Sequence, residues 1–225
     1  FDVLGREQHY DWGYGSMMHI RDVMTQDLVV VSTGYDWYSN YNNFSRSYND
    51  NSYFSYLPWF SMYKLVKGCN DVIGAVDMET ASESVKEVAG KAYAYRALDY
   101  FTLMYLFEPK ANKYTDCSKV LGLTVPFVLP TTTVEQGMNN PRVPHDEMVA
   151  FILSDLDIAE ECLANNVQND KLYPSLACVY GLKARLYMWV EKYDKAQEFA
   201  RKAITAAKVA PISEGRALGV ATGYN

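Results

Sequence analysis

The chain has 225 residues, 49% of them apolar, and a formal net charge of −6. That length supports one large domain or two small ones with a sizeable core, and the apolar share excludes a disordered chain. Lys and Arg are scattered among Asp and Glu, which excludes the clustered basic surface that a nucleic-acid partner requires.

Helical periodicity governs from Gly15 onward. Met18, Val23 and Met24 mark a first helix of about three turns. Leu28 to Val31 is a short apolar run, far below the length of a membrane span. The next segment, Tyr35-Asp36-Trp37-Tyr38-Ser39-Asn40-Tyr41-Asn42-Asn43-Phe44, has no apolar helical face. It mixes rings with amides, hydroxyls and a carboxylate. A sugar offers apolar C–H faces and a rim of hydroxyls, so rings can stack while amides bond the rim. Tyr35, Trp37, Tyr38, Asn40 and Tyr41 are therefore the candidate ligand-binding residues, although the same rings could instead anchor the segment on a core. Trp12 and Tyr14 form a second, lesser candidate, and Arg46 could bond a ligand or pair with Asp50.

A long helix is expected from about Tyr53 to Met78, with Trp59, Met62, Tyr63, Val66, Ile73 and Val76 near i, i+3, i+4 spacing. Another follows from about Ser82 to Phe107. Pro109, Pro126, Pro130, Pro141 and Pro144 then break a connection over 109–144, whose length marks a functional loop rather than a plain linker. Thr124 to Val128 is the one further stretch with strand-like alternation. A helix resumes at about Asp146 with Met148, Ile152, Leu156, Ala159 and Leu163 on one face, and Asp146 and Glu147 suit its N-terminal dipole. The last pair is expected over Pro174–Val190, with Pro174 in its first turn, and Tyr193–Lys208. The fold class is all-α.

That last pair carries a repeat signature. Tyr180, Ala184, Tyr187, Ala196, Ala200 and Ala203 stand at offsets of 0, 4, 7, 16, 20 and 23, the large and small positions of a tetratricopeptide unit. Small residues let antiparallel helices approach, and Tyr fills the groove between them. One such unit cannot bury its own face. The helices over Gly90–Phe107 and Asp146–Leu163 could supply another, with the Pro-rich segment inserted between them.

Catalytic and metal signatures are weak. Cys69, Cys117, Cys162 and Cys178 contain no C-x-x-C pairing, and a disulfide such as Cys162 to Cys178 is a possibility that spacing alone leaves open. His9, His19 and His145 are far apart, so no metal or other cofactor is expected. Asp155, Asp157, Glu160 and Glu161 lie along one helix and read as a solvated face, because glycoside hydrolysis needs two carboxylates opposed across a cleft. Arg96 and Arg142 read as structural, bonding acidic groups or helix C-terminal carbonyls.

Three segments together resemble the SusD/RagB family. They are Gly90-Lys91-Ala92-Tyr93-Ala94-Tyr95-Arg96-Ala97-Leu98-Asp99-Tyr100-Phe101 with the later Val125-Pro126; Arg142 with Asp155-Leu156 and Ala159; and Ala184-Arg185-Leu186-Tyr187 with Tyr193 and Lys195-Ala196. Lys91, Glu108 and Val149 depart from the family pattern of Glu, Gly and Tyr. The resemblance implies a non-enzymatic, cell-surface lipoprotein of the outer membrane, anchored through an N-terminal lipidated Cys that is absent from this chain. It implies an oligosaccharide ligand, a TonB-dependent SusC-like transporter as partner, and a glycan platform built from loops. Since the chain opens on Phe1 and closes on a Gly-containing loop sequence, 1–225 is expected to be a single helical-repeat domain, the N-terminal part of a longer protein. The competing reading is a tetratricopeptide scaffold that holds a peptide.

Overall fold

A computed structural model describes residues 13–25, 28–30, 38–39, 53–165, 170, 172–210 and 212–214. Its helices are α1 (Gly13–Met24), α2 (Tyr53–Gly74), α3 (Glu83–Phe107), α4 (Val134–Met138), α5 (His145–Leu163), α6 (Leu176–Trp189) and α7 (Tyr193–Ala207). The all-α expectation holds. Among the described residues there is no strand, and Leu123 and Pro144 form an isolated antiparallel bridge. The apolar run at Leu28 is not a strand, and Leu28 and Val29 are exposed. The chain forms two compact units, residues 1–68 with 102–144, and residues 69–101 with 145–225.

In the first unit, α1 buries Met17, Ile20 and Val23, an i, i+3, i+6 stripe. Met18, expected on that face, lies on the exposed side, because the inward stripe is set one residue earlier. On α2, Leu57, Met62 and Val66 are buried. The half-buried ring of Trp59 meets Tyr63 at 4.9 Å and stands edge-on to Phe107 at 5.1 Å. Helix α2 ends at Gly74, short of Met78, where Ala75 and Val76 close tighter turns onto Val72 and Ile73. The Pro-rich connection is largely irregular and exposed, but Thr133 starts the short α4 with a capping box to Gln136.

The second unit is a stack of helices joined by named side chains. Helices α3 and α5 run antiparallel: Gly90 lies against Cys162, Arg96 against Asp155, and Tyr100 against Phe151. Met148, Ile152, Leu156, Ala159 and Leu163 are all buried, as their spacing requires. Phe101 and Trp189 join α3 to α6 edge-on at 6.5 Å. Lys183 joins α6 to α5 through Asp157 and Glu160. Ser175, not Pro174, begins α6: its hydroxyl accepts from the Cys178 amide, so Pro174 sits just outside the helix.

The α6–α7 hairpin has the expected tetratricopeptide form, with one change. Ala184 and Ala196 are buried at the helix crossing. Ala200 is exposed, and the neighbouring Phe199 fills the groove, stacked on Tyr187 at 5.5 Å and tilted to Tyr180 at 6.0 Å. The turn is a Schellman motif in which Lys192 N–H bonds the Tyr187 carbonyl and Glu191 N–H the Met188 carbonyl. Its left-handed position is Glu191, at φ 59°. A side chain there is strained, so Glu191→Gly is expected to stabilise the fold by about 0.5–1 kcal/mol. Urea unfolding of the two proteins checks this.

Candidate functional site

The aromatic–polar segment is described only at Tyr38 and Ser39; Tyr35, Trp37, Asn40 and Tyr41 lie outside the described residues. Tyr38 is half-buried and packs, with Met24 and Val30, against Ile20 and Val23 of α1. Burial pushes its phenol above the usual range. The ring of Tyr38 thus serves as an anchor on the apolar stripe of α1, whatever else its edge touches. The base of that seat is held by Tyr14, whose hydroxyl lies 3.5 Å from the Thr102 hydroxyl. Arg21 adds to it, stacked over the Tyr105 ring at 5.4 Å and bonded to Asp22 at 3.1 Å. Tyr14 is therefore a half-buried tie between α1 and α3. Trp12, Arg46 and Asp50 lie outside the described residues.

A second aromatic surface escaped the sequence reading. Tyr56 and Phe60 stand one turn apart on α2, stacked at 5.5 Å and 14°, and both are exposed. The Lys64 ammonium lies 5.8 Å from the Phe60 centroid one turn further on. Exposed rings with a neighbouring cation can receive an apolar ring face rimmed with hydroxyls. The available signal was the i, i+4 pairing of two aromatics beside the inward Leu57 and Met62.

The Pro-rich segment is pinned by bonds to backbone. Arg142 Nη1 donates to the carbonyls of Phe107, at 3.1 Å, and Thr124. Phe107 closes α3, so this arginine satisfies a helix C-terminal carbonyl as expected. The Tyr63 hydroxyl donates to the Pro126 carbonyl at 2.8 Å, Asn140 Nδ2 to the Phe127 carbonyl, and Thr124 N–H to the Val143 carbonyl at 2.7 Å. Between these ties Tyr114, Val134 and Met138 are each more than four-fifths exposed.

The acidic row on α5 is a solvated face in part: Asp157 and Glu161 are exposed, Glu160 is half-buried and Asp155 is buried. Asp155 is buried and takes Nε and Nη2 of Arg96 at 2.8 and 2.7 Å, while Arg96 Nη1 bonds Asn70 Oδ1 at 2.7 Å. The guanidinium is flanked by the rings of Tyr93 and Phe151, at 5.2 and 5.1 Å. Burial pushes the Asp155 carboxyl above its ordinary range, and the guanidinium pulls it back. Asp157 and Glu160 hold the buried Lys183, whose pKa burial lowers and the two carboxylates more than restore. Asp155, Asp157 and Glu160 are engaged in holding helices together, and all three lie along one helix. Asp155 reads as solvated in sequence because period alone does not reveal a buried cation facing it. All four thiols are free, including Cys162 and Cys178. Among the described residues no three His, Cys, Asp or Glu side chains converge on a metal position, and no helix is long and apolar enough to cross a membrane.

Comparison with known proteins follows the fold. The model of a SusD-like family, described as starch-binding and associating with the outer membrane, matches residues 8–188. A SusD-like protein of Formosa agariphila is 26% identical over 141 residues, 63% of this chain and 24% of the relative. A SusD-like carbohydrate-binding protein of Bacteroides vulgatus aligns with a TM-score of 0.76 at 23% identity, over 96% of this chain and 44% of its own. A surface glycan-binding protein of Bacteroides fluxus aligns at 0.62 and 18%, over 94% and 42%. A laminarin-binding SusD-like protein aligns at 0.62 and 17%, over 85% and 39%. The chain thus spans about a quarter of the curated relative and under half of each of these solved structures.

Proposed function

The chain belongs to the SusD-like family, and on that premise we propose that it serves in cell-surface capture of oligosaccharides for delivery to a TonB-dependent, SusC-like transporter. The observation that carries this reading is the match over residues 8–188 to a family described as starch-binding and associating with the outer membrane. The protein binds and does no chemistry in this reading, and it is held at the outer membrane by an N-terminal lipid. Residues 1–225 act as the helical-repeat part of a longer protein, with 109–144 as an inserted loop. Relatives described as carbohydrate-, glycan- and laminarin-binding support the ligand class.

Within this reading Tyr35, Trp37, Tyr38, Asn40 and Tyr41 form part of the sugar platform. Tyr38 supplies the seat on α1, and Trp37 supplies a stacking face. The exposed Tyr56–Phe60 pair supports the same chemistry from α2. Trp37→Ala in the full-length protein is expected to weaken binding of a β-glucan or starch oligosaccharide by about 1–3 kcal/mol, the scale of removing a large apolar contact. Stability should stay nearly unchanged. Isothermal titration and urea unfolding separate the cases. A variant that binds normally yet loses about 3–5 kcal/mol of stability would make Trp37 a core anchor and remove it from the platform. Affinity purification from native membranes should co-recover a large β-barrel, and recovery of cytosolic proteins alone would overturn the transporter assignment.

A further inference from the structure

Asp99 lies on α3 and is 2% exposed. Its Oδ2 is buried without a hydrogen-bond partner. The cation three positions earlier, Arg96, is already committed: two of its nitrogens go to Asp155 and the third to Asn70. Two buried carboxyls, Asp99 and Asp155, therefore share a neighbourhood with one guanidinium that bonds only one of them. Cys69 of α2 and Tyr95 of α3 stand close to them, with Cys178 and Arg185 of α6 beyond Tyr95, and the positive charge of the amino terminus draws the Asp99 carboxyl down by less than burial raises it. Cys69 brings no countercharge: a thiol is neutral or, once ionised, negative, and burial pushes it up to about 12 so that it stays neutral. Arg185 lies over the Phe101 ring at 5.6 Å. A charge buried without a bonded partner is costly, and taking up a proton is the cheaper solution.

We propose that Asp99 is held as a neutral carboxylic acid in the folded protein, so that folding of the unit 69–101 with 145–225 takes up one proton and this helical stack loosens as pH rises. Burial acts in the same direction, raising this carboxyl well above the ordinary range. The sign follows from linkage. A group whose folded pKa exceeds its unfolded value of about 3.9 contributes its stabilisation fully below that value. The contribution is lost as pH rises toward the folded pKa. This inference stands apart from sugar binding, and neither its success nor its failure bears on that reading.

The test is urea unfolding of the wild-type protein and Asp99→Asn at several pH values from about 5 to 8, the range above the unfolded pKa in which the linkage acts. The amide has the shape of the neutral acid and cannot ionise. The ratio of unfolding equilibrium constants, wild type over variant, is expected to climb with pH by up to about tenfold per pH unit. Parallel pH profiles would overturn the proposal. Infrared difference spectra of wild-type protein carrying isotope-labelled Asp decide the matter even where Asp99→Asn does not fold. A protonated-carboxyl band at neutral pH supports the neutral acid, and absence of the band overturns it.

Discussion

Arg96→Met is expected to destabilise the fold by about 3–5 kcal/mol, the cost of leaving a buried charge without its partner. Against a total stability of about 5–15 kcal/mol for a domain, that loss is a large share of what holds the fold. The reason is geometric. Asp155 keeps both oxygens buried and loses both donors, while Asn70 loses the Nη1 bond. Arg96→Lys should rescue little, because an ammonium cannot bridge two carboxylate oxygens and an amide in one plane. The double variant Arg96→Met/Asp155→Leu should recover most of the loss, since no charge is then stranded. Urea unfolding of the three variants is the measurement. A single variant Arg96→Met within about 0.5 kcal/mol of wild type, the range of a surface change, would show that this pair does not hold α3 to α5.

Gly90→Val is expected to cost about 3 kcal/mol or more, at the upper end of overpacking, and Gly90→Ala about 1–3 kcal/mol. The alanine case is the sharper test because helix propensity argues the other way. Ala in a helix interior is favoured over Gly by about 1 kcal/mol. Here a Cβ at position 90 would lie 2.5 Å from the Cβ of Cys162, and 3.4 Å from Cγ of Leu163. The Cys162 Cβ is rooted on the backbone of α5, so the whole helix must shift to make room. The swap Gly90→Ala/Cys162→Gly moves the methyl-sized bulk from one helix to the other and should fold far better than Gly90→Ala alone. Thermal unfolding in which Gly90→Ala gains stability would mean that α3 and α5 do not approach so closely.

Much of this architecture is legible in the chain. The inward face of α5 follows from five apolar residues at helical spacing, and the α6–α7 hairpin follows from Ala184 and Ala196. Illegible features share a cause: they depend on what faces a residue across the fold. Asp155 and Asp157 look alike on one helix, yet Arg96 buries the first and Lys183 holds the second at an exposed edge. Phe199 and Ala200 are neighbours, and which of them enters the groove depends on the roll of α7 against α6. The inward stripe of α1 begins at Met17, since the register of a short helix is set by its packing and not by its period. Among the proposed ligand-binding residues, Tyr38 is the one described, and its ring is seated on α1.

The way the Pro-rich segment is tied has an evolutionary consequence. Arg142, Tyr63 and Asn140 all grip main-chain oxygens, at Phe107, Thr124, Pro126 and Phe127. A carbonyl is present whatever residue carries it. Substitutions at the accepting positions therefore keep those bonds, and substitutions at the exposed tips Tyr114, Val134 and Met138 leave them untouched. The path of the segment is encoded by a few donors, and its outward chemistry by other positions. Selection can therefore rewrite the outer surface residue by residue, as new ligands or partners are met, without redesigning the support beneath it.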